Sequence, residues 1–113
     1  MATGKRSGKA IAQAGKPFEE QVQEKTGGKP ETIEGREIDS VTDEALIQAK
    51  DARIATIKPH NFLNKKTRTQ IKETIRLAQE RLKRAEFWFK NEPHLIVRKY
   101  IEDKGGVVVI LND

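Results

Sequence analysis

Cysteine is absent from the 113 residues, which excludes a disulfide framework and any cysteine-ligated zinc and fits a reducing site of action. Long hydrophobic runs are also missing. The longest, Val107 to Leu111, is far too short to span a membrane. No apolar stretch follows Lys5, Arg6 and Lys9, so nothing near Met1 resembles a signal peptide. Histidine is scarce: His60 and His94 have no cysteine or histidine at metal-ligand spacing, which argues against a structural zinc site. Hydrophobic residues make up only 35%, much of it alanine, so a thin core is expected.

Charge, in contrast, is abundant. Charged residues are 35% of the chain and the formal net charge is +5. Ten basic residues and three acidic ones lie between Lys58 and Lys90, a surplus of seven, which leaves the remainder at −2. A positive surplus concentrated in one segment points to a polyanionic partner more strongly than the total does.

The apolar positions are organised, which argues against disorder. Met1 to Lys9 has no apolar periodicity and reads as a flexible lead-in. Ile11, Ala14, Phe18 and Val22 predict a first helix from about Ala10 to Lys25, with Pro17 either kinking it or marking its start. Thr26-Gly27-Gly28 ends it. From Glu31 to Lys50 the pattern becomes a hairpin: one strand through Thr32, Ile33, Ile38 and Val41 with Gly35 as a bulge or irregularity, a turn at Thr42 to Glu44, then Ala45 to Lys50. Asp51 to Asn64 is a connection of open form. Ile71, Ile75, Ala78, Leu82, Ala85 and Phe89 predict a long helix over Lys65 to Asn91. A strand from His94 to Ile101, a turn at Asp103 to Gly106 and a strand from Val107 to Leu111 close the chain. The fold expected is one α/β domain, a small mixed β-sheet flanked by helices in the order α-β-β-α-β-β.

The chemistry-bearing residues sit on the hairpin. Alternation places Gln48 and Lys50 on one face of their strand, and a tight turn can bring Asp39 opposite them. A carboxylate and an amide oxygen suit a hard divalent cation. Lys50 can then orient or deprotonate a water, or stabilise charge on a phosphoryl group. Glu19, bordering the Phe18/Val22 stripe, is the candidate for a further acidic ligand; Glu20 lies further towards solvent. The blander alternative for Asp39 and Lys50 is a cross-strand ion pair. Lys65, Lys66, Arg68, Lys72, Arg76 and Lys83 are the candidate nucleic-acid contacts, though a charged helix face can also be simply solvated. Trp88 reads as a core-edge or partner-protein contact ahead of a base-stacking platform.

Asp39 followed by Gln48-Ala49-Lys50 resembles the PD-(D/E)XK nuclease signature in its QxK form, and Gly15-Lys16-Pro17-Phe18-Glu19 with Val22 is similar to the GxxFExxV helix that precedes it. The resemblance covers Gly15 to Leu111 and is nearest to the restriction-endonuclease-fold toxin domains of contact-dependent growth inhibition and related polymorphic toxins. No proline precedes Asp39, and Gln48 stands where the family usually has an acid. The resemblance implies a single nuclease domain over 10–113, with Asp39, Glu19 and Gln48 as metal ligands and Lys50 as the catalytic lysine. The metal expected is Mg²⁺, with Mn²⁺ or Zn²⁺ as alternatives. The resemblance also implies an RNA (transfer RNA first) or DNA substrate, a cognate immunity protein, and delivery on a larger secreted toxin that acts in the target-cell cytoplasm. The rival classes are a non-catalytic nucleic-acid-binding module and an interaction or immunity-type protein.

Overall fold

The computed structural model describes residues 16–112. The lead-in Met1 to Lys9, and the part of the expected first helix before Lys16, lie outside these residues.

Helix α1 spans Phe18–Thr26 and begins directly after Pro17, whose fixed φ and missing N–H cost nothing at a helix start. Pro17 therefore marks a beginning and not a kink. Gly27, at φ 77°, takes the left-handed conformation that stops the helix.

The predicted hairpin is a three-strand meander: β1 (Lys29–Ile33), β2 (Arg36–Val41) and β3 (Ala45–Lys50), all antiparallel neighbours. Gly35 is not a bulge. Glu34 and Gly35, at φ 51° and 78°, form the two-residue turn between β1 and β2, the geometry that matches strand twist. The irregularity lies further along. Lys29 pairs with Val41 but Glu31 pairs with Ile38, so β2 has one more residue than β1 across this stretch, and Asp39-Ser40 faces the single residue Pro30.

Two short helices, α2 (Ile54–Ile57) and α3 (Pro59–Phe62), fill the connection to α4 (Lys65–Glu80). The long helix expected to run to Asn91 stops eleven residues earlier. Leu82 adopts φ 57°, with Leu82 N–H bonded to Gln79 O and Lys83 N–H bonded to Ala78 O. That closing pattern reverses the chain. Arg84–Phe89 is then strand β4, with Ala85, Phe87 and Phe89 buried on one face. The stretch expected as a strand over His94 to Ile101 is instead helix α5 (Leu95–Asp103), capped by His94 Nδ1 accepting from Ile96 N–H at 3.0 Å. Val97 and Ile101, four apart, make its buried side. Strand β5 (Val107–Ile110) is as expected.

The fold class holds: one five-stranded mixed sheet, ordered β1-β2-β3-β4-β5, with parallel pairing from β3 onward through the α4 and α5 crossovers. The expected element order is corrected to one with three strands before α4 and a helix between β4 and β5. Alternation along β3 sorts the core into two layers. Ala45 and Ile47 pack with Phe18 and Val22 of α1, whereas Leu46 joins Ile71, Ile75 and Phe87 on the α4 side. Trp88 packs at the edge of the α1 layer, with Nε1 donating to Glu86 at 2.9 Å, so the core-edge reading holds. No helix among the described residues is long and apolar enough to cross a membrane.

Candidate active site

Gln48 and Lys50 lie on the α4 side of β3, at its carboxyl end. Only Ser40 and Val41 of β2 pair with β3, through Ile47 and Leu46. Beyond that point side chains bridge the two strands. Asp39 Oδ2 accepts the Ala49 N–H at 2.8 Å, which fixes Asp39 between Gln48 and Lys50 along the strand. The bulge at Asp39-Ser40 makes this possible by turning Asp39 out of the regular alternation.

Gln48 is almost fully buried, at 1% exposure, and its amide is held at one end only. Nε2 donates to Glu37 O and to Thr74 Oγ1, each at 3.1 Å. The Glu37 carbonyl can only accept, so it assigns the nitrogen, the Thr74 hydroxyl being able to turn either way, and Oε1 takes no donor among the described residues. Gln48 lines a cleft of about 660 Å³ between the β1–β2 turn and α4, together with Lys50, Arg36, Lys66, Gln70 and Thr74.

Lys50 is half-buried, and its Nζ donates to Gln70 Oε1 of α4. Burial pushes its ammonium below the ordinary lysine value; Asp39 opposes this, and Lys66 adds to it. Gln70 was not singled out from sequence. Its signal was the spacing Lys66, Gln70, Thr74, one helical face of two turns.

Asp39 and Glu19 border a neighbouring depression of about 350 Å³, and Glu37 and Thr32 border both it and the cleft. The candidate set is thus divided: Asp39 and Glu19 on one side, Gln48 and Lys50 on the other, with the Asp39–Ala49 hydrogen bond joining them. Asp39, Gln48 and Glu19 offer only oxygens, the donor chemistry a hard cation takes. Among the described residues no three of His, Cys, Asp and Glu gather as a metal cluster, so a cation here would draw on the Gln48 amide and on water.

A family model described as restriction endonuclease fold toxin 3 matches residues 8–111. The chain belongs to this family. It is a nuclease-like toxin domain, and the resemblance to the PD-(D/E)XK toxin domains is borne out. No curated protein and no solved structure gives a match.

Within the toxin domain the expected basic face divides into groups. Lys65, Arg68 and Lys72 are exposed, and Lys66 lines the cleft. Arg76 is bound to Glu73 at 2.9 Å and Glu80 at 2.8 Å, and lies 3.5 Å from Glu34. It thus ties the β1–β2 turn to α4. Lys83 lies beyond the helix, its Nζ donating to Thr42 O at 2.8 Å. Both side chains are thus engaged within the protein, Arg76 by carboxylates and Lys83 by one backbone carbonyl. His60 is exposed on α3, and His94 serves α5 as a cap.

Proposed function

We propose that this toxin domain is a metal-dependent endonuclease, hydrolysing phosphodiester bonds in RNA, transfer RNA ahead of DNA, inside the target cell. The observation that carries the reading is the environment of Lys50: a half-buried amine with its pKa lowered by burial, on a cleft that Gln48 also lines. An amine that loses its proton more easily than ordinary lysine can take a proton from an attacking water, and in its charged form it can steady negative charge on phosphorus. Asp39, Gln48 and Glu19 are the ligands of Mg²⁺ in this reading, with Mn²⁺ as a substitute. A bound cation would polarise the phosphoryl oxygen and lower the pKa of its water. Gln70 holds the Lys50 amine towards the cleft, and Ala49 N–H holds the Asp39 carboxylate beside it.

The preference for RNA rests on the habit of compact toxins of this kind. The same reading gives the domain a parent protein that carries it out of the producing cell and a cognate immunity protein that covers the cleft. The test is cleavage of total transfer RNA and of plasmid DNA with Mg²⁺ or Mn²⁺, with EDTA, and with Lys50→Ala. Metal-dependent cleavage that the variant loses supports the reading. Cleavage that persists in EDTA or in the folded variant refutes it.

A further inference from the structure

The cations around the cleft differ from the ion-paired arginines elsewhere in the toxin domain. Arg76, Arg81, Arg84 and Arg98 each lie within 4.0 Å of a carboxylate. Arg36, Lys50 and Lys66, the three cations lining the 660 Å³ cleft, have no such partner among the described residues. Carboxylates are nearby: Glu73 is close enough to feel the charge of Arg36 and is taken by Arg76. Lys65, Arg68 and Lys72 on the outer surface of α4 are likewise without an ion pair, so what sets Arg36, Lys50 and Lys66 apart is that they converge on one cleft, where Glu37 is the one acidic residue among the described lining residues.

The three cations occupy different parts of the cleft. Gln48, bonded to Glu37 O of β2 and Thr74 of α4, spans the gap between those elements and forms the floor with Lys50. Arg36 stands at the start of β2, directly after the turn residue Gly35, and lines one wall. Lys66, in the first turn of α4, lines the other. Among the described residues no aromatic side chain lines the cleft, which offers no platform there for stacking a base.

We propose that Arg36 and Lys66 grip the nucleic-acid backbone from opposite walls, each taking a phosphate on either side of the one presented to Lys50. The proposal rests on the nuclease reading and adds Arg36, a residue outside the α4 face, as a substrate contact. The grip reads phosphates and not bases. Two opposed contacts fix the strand across the cleft, whereas a basic helix face alone would leave it free to slide along α4.

The experiment measures binding of a fluorescently labelled single-stranded RNA to the full chain in EDTA across a salt series. Arg36→Gln and Lys66→Gln are each expected to lower the slope of log K against log [salt] by about 0.7, and the double variant by about twice that. Arg81→Gln removes a cation that is already paired and is the control expected to leave the slope unchanged. Thermal melts verify that all variants fold. Wild-type slopes in both cleft variants, or an equal loss in Arg81→Gln, overturn the grip while leaving the nuclease reading intact. Absence of any wild-type binding also overturns the grip, while the nuclease reading stands or falls by the cleavage assay.

Discussion

Asp39 Oδ2 accepts the backbone N–H of Ala49 at 2.8 Å, in the part of β3 where the paired register with β2 has ended. One carboxylate thus closes the sheet and stands between the two residues that line the cleft. The two roles separate by substitution. Asp39→Asn keeps an oxygen for Ala49 and should change stability by less than about 0.5 kcal/mol, while lowering cleavage at least about 100-fold through the lost charge. Asp39→Ala leaves the N–H without its acceptor and should cost a further ~1 kcal/mol in urea unfolding. Equal cleavage by Asp39→Asn and wild type would remove Asp39 from the chemistry.

Thr74 shares with the Glu37 carbonyl the task of holding the Gln48 amide nitrogen. Its Oγ1 and Glu37 O together occupy Nε2, so Oε1 is the end left over. Thr74→Val should weaken Mn²⁺ binding about 10-fold, as loss of a ligand's supporting hydrogen bond commonly does, and Thr74→Ser should restore it. Calorimetric titration of Mn²⁺ into each folded variant checks this without reference to turnover. Wild-type affinity in Thr74→Val would show that the Thr74 hydroxyl does not position the Gln48 amide for the cation.

The hairpin residues of the site were legible because alternation on β3 is regular: Ala45, Ile47 and Ala49 face one layer, and Leu46, Gln48 and Lys50 the other. The α4–β4 boundary was not legible. Leu82, Ala85 and Phe89 continue the helical spacing of Ile71, Ile75 and Ala78, and the left-handed residue that ends α4 is a leucine and not the glycine that signals such a stop. Ala85, Phe87 and Phe89 alternate as well, and burial on the sheet decides in favour of strand. Helix α5 was hidden in the same way, since the start signal is a histidine cap after Pro93. Gln70 and Arg36 escaped notice because their importance comes from a cleft between elements distant in sequence.

Leu82 carries an expected gain. It is 95% exposed and holds φ 57°, so its side chain contributes no burial while its Cβ strains the backbone. The left-handed conformation costs a non-glycine residue about 1–2 kcal/mol, part of which glycine returns through greater freedom in the unfolded chain. Leu82→Gly should therefore stabilise the fold by about 0.5–1 kcal/mol, read as a higher urea midpoint with an unchanged slope. A lowered midpoint would show that Leu82 has a packing role that its exposure denies.

Lys50 opposes the fold at neutral pH. Burial holds its folded-state pKa below the ordinary value of 10.5, with Asp39 only partly offsetting the effect. Between that lowered value and 10.5 the unfolded chain binds more protons than the folded one, so stability from this group rises with pH through that window. Below the window both states are charged, and the destabilisation is complete and constant. Lys50→Met, which retains the aliphatic stem, should accordingly match or exceed wild-type stability at pH 7 in EDTA, and its advantage should shrink as pH approaches 10.5. Cleavage should be lost in the same variant. Urea titrations of both proteins from pH 7 upward make the comparison. An advantage that stays constant or widens with pH would show that the lysine is not strained by its site, and the case for it as a base would go with it.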